Sequence, residues 1–415
     1  MRVTIINRSD ALGGAAIVSM RLCKALRDAG ADARMLVLDR RTDDDTVQAV
    51  GSSLGNRYRF LAERLGIFLR NGMSRDTLFR IDTATHGVNL SHHPWVQDAN
   101  VVVLGWVNQA TLSLDDVSRL ASLGKPLVWV MHDMWNATGV CHHAEECKGL
   151  HGQCEQCPLL PSGSRLAQRT WQRKHDLYEK CGIHFVAVSE WLKRVCRESS
   201  LMRDCDISVI PNAIDVAQFN SDYLDDNPWG VEEGRQVIVM GAARLDDPIK
   251  GFDRLTAALQ WIHKNRPDEA SRIHLVLYGA LRDASLLQTI PVPYTHLGYV
   301  SDIQDVYRHA QIVVSASVRE TLPTTLVEGM ACGCVAVTTG EGGQRDIVSH
   351  LNNGFVTSSL DPESLAQGIE WALDNCGDRQ AQHDWIASQF DQSVVAKRHL
   401  NLYNLLITKE MKKVT

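Results

Sequence analysis

A chain of 415 residues with a formal net charge of −6 is too long for one ordinary α/β domain and offers nucleic acid no general attraction. Residues 1–7 are too short and too soon interrupted for a signal peptide, and no run of about 18 apolar residues could cross a bilayer, so a cytoplasmic protein of two domains is expected. Eleven cysteines, an odd number and mostly single within apolar stretches, fit a reducing compartment better than a disulfide framework.

The first strand is expected over 3–7, then a turn containing Gly13 and Gly14, a helix over 15–29 and a strand over 33–38. The GxGxxG spacing is missing, so paired glycines here signal a turn before they signal a dinucleotide. Residues 56–80 are basic, with Arg57, Arg59, Arg64, Arg70, Arg75 and Arg80 among Tyr58, Phe60, Leu61 and Leu65. Two readings stay open: a helix lying on an anionic membrane surface, or one packing its apolar stripe on the domain with solvated arginines. Further strands are expected over 99–104, 127–131, 184–188 and 207–210, the second of them ending at His132 and Asp133.

Residues 220–235 are polar and acidic with an Asn-Pro pair, which reads as a linker. Beyond it the strand–helix alternation resumes, with strands over 237–241, 273–278, 295–299, 311–317, 334–338 and 354–356. The expected organisation is thus an N-terminal domain over 1–219, the linker, a second domain over 236–390 and a C-terminal helix over 391–415 that packs back toward the first domain. Both domains should be doubly wound α/β units facing each other.

The strand over 311–317 runs into a loop with Glu320 and a short helix that starts near Pro323, carries Glu328 and stops at Gly333. Free N–H groups at such a helix start favour a phosphate, and two carboxylates suit a ligand rich in hydroxyls. Two solvated glutamates on an ordinary helix are the plain alternative.

Glu320 and Glu328, followed by Gly329, Gly333 and the Gly342–Gly343 pair, resemble the signature of retaining glycosyltransferases of the GT-B fold, family four. Gly13–Gly14, the stretch Ile210-Pro211-Asn212-Ala213-Ile214-Asp215, and Arg244 with Lys250–Gly251 match the same framework over nearly the whole chain; Ala213 departs from the usual glycine. The resemblance implies two Rossmann-like domains across a cleft and a nucleotide-sugar donor held by Gly13, Gly14, Arg244, Lys250, Glu320, Leu322, Pro323, Thr324, Thr325 and Glu328. Glu320 would accept hydroxyls of the transferred sugar, and Glu328 those of the ribose. His132 would face the sugar, while Arg244 and Lys250 neutralise the leaving diphosphate; with no Asp-x-Asp pair in place, no catalytic divalent metal is expected. Other enzymes of the fold, such as a sugar-nucleotide epimerase or a phosphorylase, and a non-catalytic nucleotide-sugar-binding scaffold remain alternatives.

Cys141, Cys147, Cys154 and Cys157 fall in a loop-like segment with Gly149 and Gly152. Four thiols there suit structural Zn²⁺, with His142, His143 and His151 as substitutes, against reduced thiols or two disulfides. The cluster after Met131–Gly139 resembles a subgroup of these enzymes from bacterial exopolysaccharide and lipopolysaccharide synthesis. That resemblance implies a lipid-linked glycan acceptor, and the basic stretch 56–80 would then bring the N-terminal domain to a peripheral place on the inner face of the membrane.

Overall fold

The computed structural model describes residues 1–144 and 147–414, which divide into two compact units, Met1–Ala213 with Val395–Thr415, and Ile214–Val394. The first unit is built on seven parallel strands: β1 (Arg2–Ser9), β2 (Asp32–Asp39), β3 (Val47–Ala49), β4 (Val101–Leu104), β5 (Leu127–Met131), β6 (Ile183–Ala187) and β7 (Ile207–Val209). Their order is β3-β2-β1-β4-β5-β6-β7. β4 and β5 are buried along their whole length, as strands covered on both faces by helices must be. The short edge strand β3 has no counterpart among the predicted elements, because three residues carry no readable period.

The second unit holds six parallel strands: β8 (Gln236–Arg244), β9 (Ile273–Ala280), β10 (Tyr294–His296), β11 (Ile312–Ser315), β12 (Val335–Thr338) and β13 (Gly354–Val356), in the order β10-β9-β8-β11-β12-β13. In each sheet the order of strand addition reverses beside the first strand, between β1 and β4 and between β8 and β11. In open parallel sheets ligands settle at the carboxyl ends flanking such a reversal. The predicted doubly wound character of both halves is therefore what the chain forms.

Residues 220–235, read from composition as a linker, are packed on the second unit. Gln311 Nε2 donates to the Tyr223 hydroxyl at 2.9 Å, His309 Nε2 meets Asp226 at 2.8 Å, and Trp229 lies against the His309 ring. Polar composition described the segment's surface and missed its aromatic anchors.

The basic stretch 56–80 also differs from a uniform amphipathic helix. The helix Ser53–Arg70 begins on Ser52, whose hydroxyl accepts from Gly55 N, and ends with residues 71–80 in turns. Arg64 is buried, its guanidinium on Asp82 at 2.7 Å and near Glu63 at 3.5 Å, so it cannot face a membrane. Leu54, Tyr58, Leu61, Leu65 and Leu69 instead form an exposed apolar stripe, beside exposed Arg57 and Arg70. Among the described residues no helix is long and apolar enough to cross a membrane.

Candidate active site

The carboxyl end of β8 and the loop after β11 bring Lys250 and Glu320 together. Lys250 Nζ lies 2.5 Å from Glu320 Oε1, and the same oxygen accepts from Ser317 Oγ at 3.0 Å. Two backbone bonds hold the loops in register: Val318 N donates to Ile249 O at 2.8 Å, and Gly343 N to Glu320 O at 2.8 Å. Glycine is required at two of these contacts. A Cβ on Gly251, at φ 75°, would stand 2.0 Å from Ala316 O, and one on Gly342, at φ 118°, 2.3 Å from Glu320 O. Gly251 and Gly342 thus let two loops close on the Glu320 loop from either side.

Arg244 ends β8, its guanidinium 3.2 Å from Asp246 and 3.5 Å from Asp247. It and Lys250 each remain about a third exposed, so both cations are accessible to an anion. The helix Thr324–Ala331 follows with Pro323 at its N-cap, one position earlier than the first turn. Gly329 packs this helix on β11, where a Cβ would press the Val313 side chain at 2.8 Å. Leu322 and Pro323 are buried and Thr324 and Thr325 half-buried. Glu328 is only 5 % exposed, so the two carboxylates differ: Glu320 borders the accessible edge, and Glu328 is set into the packed face.

In the first unit Gly13, at φ 86°, caps the helix Gly14–Asp28 immediately after β1, and Cβ atoms on Gly13 or Gly14 would meet only open space. These glycines serve the turn conformation at Gly13 and leave the helix start uncovered.

His132 leaves β5 half-buried, and burial, acting against the pull of Asp133, pushes its pKa down to about 4 and keeps the ring neutral. Asp133 is the hub that motif reading passed over. Its carboxylate accepts from His142 Nδ1 at 2.7 Å, Trp106 Nε1 at 2.9 Å and Trp135 N at 2.8 Å. Burial works against the charge, but these donors hold Asp133 well below the usual carboxylate range. Burial likewise opposes charge on His142, and the Asp133 carboxylate outweighs it, raising His142 above an ordinary histidine. His132 also lines a small pocket with Asn212 and His399, the latter from the helix Gln392–Val414, whose pKa burial pushes down to about 3.

Cys141, Cys147, Cys154 and Cys157 all line one small cavity of about 40 Å³ that opens to solvent. All are free thiols; burial pushes Cys141 and Cys157 up to about 11 and raises Cys154, so these three are protonated at neutral pH. Among the described residues no three His, Cys, Asp or Glu side chains stand together as metal ligands. The Cys154 sulfur is instead engaged by Gly139 N at 3.3 Å and Gly149 O at 3.5 Å. Of the substitute histidines, His142 is committed to Asp133, His151 Nδ1 lies 3.1 Å from Glu198 O, and His143 lines the cavity. Where a closed four-thiol site was expected, the four cysteines share a cavity, and the Cys154 sulfur is bonded to backbone.

Comparison with known proteins covers both units. Residues 12–218 match the family model described as Glycosyltransferase Family 4, and residues 235–375 that of Glycosyl transferases group 1. A Methanocaldococcus jannaschii glycosyltransferase is 26 % identical over 248 residues, which are 55 % of this chain and 61 % of that protein. A Campylobacter jejuni N-acetylgalactosaminyltransferase acting on a diphospho-undecaprenol sugar is 28 % identical over 27 % of this chain and 31 % of its own. The chain thus spans less than two thirds of the length of these curated relatives. Among solved structures, Anabaena HepE with UDP-glucose superposes over all of both chains at TM-score 0.63 and 17 % identity. A Rickettsia africae glycosyltransferase does so over 98 % of each chain at TM-score 0.67 and 14 % identity. These likenesses establish the GT-B fold.

Proposed function

We propose that this chain, which belongs to the glycosyltransferases of group 1 and family 4, moves a sugar from a nucleotide-sugar donor to a glycan with retention of anomeric configuration. The observation that carries the reading is the Lys250–Glu320 pair beside Arg244 at the reversal point of the second sheet. As the glycosidic bond to phosphate breaks, charge grows on the leaving diphosphate, and two accessible cations there stabilise it directly. Glu320 takes the sugar hydroxyls and Glu328 the ribose, with Gly13–Gly14 and residues Leu322–Thr325 lining the donor. His132, neutral at physiological pH, orients the sugar. The acceptor hydroxyl attacks from the face the diphosphate leaves and gives its proton to the departing phosphate oxygen. A panel of nucleotide sugars read by thermal shift and donor hydrolysis tests this: at least one should raise the melting temperature and be hydrolysed, and no response from any would end the reading.

The acceptor we assign is a lipid-linked oligosaccharide of surface-polysaccharide synthesis. The support is the exposed stripe Leu54, Tyr58, Leu61, Leu65 and Leu69 with Arg57 and Arg70 beside it, which suits an anionic bilayer surface. Flotation with vesicles of anionic and zwitterionic phospholipid should show binding that weakens when Arg57, Arg59 and Arg70 are neutralised or Leu61 and Leu65 become Ser. Binding that is absent, or indifferent to these changes, removes the membrane assignment.

A structural zinc on Cys141, Cys147, Cys154 and Cys157 remains part of the proposal, supported by their common cavity. Loading would have to strip protons from thiols that burial now holds neutral, so occupancy should rise with pH. Metal analysis of freshly purified protein should find about one zinc per chain; metal-free protein with full activity would refute it.

A further inference from the structure

Among the described residues, Lys174 is a lysine whose side chain is completely buried, on the helix Leu166–Lys180. An ammonium in that position is expensive unless each of its donors is met. Its Nζ donates to Trp135 O at 2.6 Å and Thr138 O at 3.0 Å, and sits 3.2 Å from the centroid of the Trp135 ring. The two carbonyls are the ends of the short turn that follows His132 and Asp133.

The carbonyls between them are also taken. Tyr178 hydroxyl donates to Asn136 O at 3.3 Å, and Ser199 hydroxyl to Ala137 O at 2.6 Å. Four successive carbonyls, 135 to 138, are thus each held by a side chain from outside the turn. Within the turn, Thr138 Oγ1 reaches Cys141 O at 2.6 Å, which links it to the first cysteine of the cavity. On the far side, Trp135 Nε1 donates to Asp82 O at 3.0 Å, and Asp82 carries Arg64. Trp135 N is the third donor on Asp133.

We infer that Lys174 is the positioning residue of this site: its buried amine locks the 135–138 turn, and through Trp135 N it fixes Asp133 and the neighbouring His132 ring. Lys174 holds both ends of the turn, whereas Tyr178 and Ser199 each hold one carbonyl between them. Burial pushes its amine down to about 7, so the two bonds gain charge assistance as pH falls below that value. A loosened turn would leave donor binding to the second unit intact while His132 samples unproductive orientations. A misplacement of about 1 Å can cost on the order of 10²-fold in rate. The inference rests on the assignment of His132 to the reacting sugar.

The test is Lys174→Met, which keeps the apolar stem and removes the amine that reaches both carbonyls. Hydrolysis of UDP-glucose, GDP-mannose and UDP-N-acetylglucosamine is measured beside amide hydrogen exchange. For the donor that wild type uses, kcat should fall about 10²-fold with KM within about twofold, and exchange should quicken at 133–139 but not in β8–β13. If kcat stays within twofold of wild type, or exchange at 133–139 is unchanged, Lys174 does not position the site. If the variant does not fold, Lys174→Gln, which keeps a shorter, neutral donor, is measured in the same way, and kcat within twofold of wild type with unchanged exchange at 133–139 overturns the inference. Wild type is run alongside: if it hydrolyses no donor, the transferase reading fails, whereas active wild type with a fully active, loosened variant defeats only the role of Lys174.

Discussion

Glu320→Gln and Lys250→Ala are each expected to lower kcat about 10²–10³-fold, the scale on which one removed transition-state contact acts, about 3–4 kcal/mol. The amide of Gln has nearly the shape of the carboxylate but carries no charge, so it loses both the Lys250 pairing and the acceptor strength offered to sugar hydroxyls. Lys250→Ala removes a cation from the leaving diphosphate and leaves Glu320 with Ser317. Stability should barely change, because the two side chains are 33 % and 21 % exposed and such pairs contribute at most about 1 kcal/mol. Steady-state hydrolysis or transfer measured beside thermal unfolding separates the two effects. Full activity in either variant would remove Lys250 and Glu320 from the site.

Arg64→Met should have the reverse profile, a large loss of stability from a residue outside the site. Arg64 stands between Glu63 and Asp82, whose side chains have no exposed surface, and its guanidinium also donates to Leu78 O and Ile81 O. Removing one partner of a buried ion pair costs about 3–5 kcal/mol because the other charges are left behind. Urea unfolding at pH 7 should show that deficit, and a change under about 1 kcal/mol would mean the cluster is solvated.

The loss should also depend on pH. Burial, then Asp82, pushes Glu63 up to about 7 from the ordinary glutamate value, with Arg64 acting against them. The folded state therefore holds a proton that the unfolded chain has released. Stability from that proton is fully present below about pH 4.5 and is lost as pH rises through about 7. Removing Arg64 pushes Glu63 higher still, so both proteins lose stability alike up to about pH 7, and the deficit of Arg64→Met should grow above that pH, where wild type levels off and the variant keeps falling.

How far the sequence reached is clearest at particular residues. The strands β1, β5, β8, β11 and β12 and the helix Thr324–Ala331 were legible because each pairs an apolar run with Gly or Pro punctuation. The place of Lys250 near Glu320 was implied by the family resemblance, which could not give a contact of 2.5 Å. Three tertiary facts were beyond reach. Arg64 looked like one more solvated arginine until the fold put Glu63 and Asp82 against it. His142 looked like a spare metal ligand, and Asp133 claims it instead. Lys174 was one basic residue in a helix full of them, with no signal separating it from Arg169, Arg173 or Lys180.

What this chain determines locally is the alternation of strand and helix, the glycines where backbone must pass backbone, and the kinds of side chain at each strand end. Periodicity and turn chemistry act over a few residues, so they are written in order along the chain. Which charge meets which is settled only when distant segments close on one another. Lys174 reaches Trp135 across 39 positions and Lys250 reaches Glu320 across 70. Burial then decides the chemistry: it neutralises His132, raises Glu63 and holds the thiols of Cys141 and Cys157 protonated, and each of those shifts belongs to the packed interior that no stretch of sequence contains by itself.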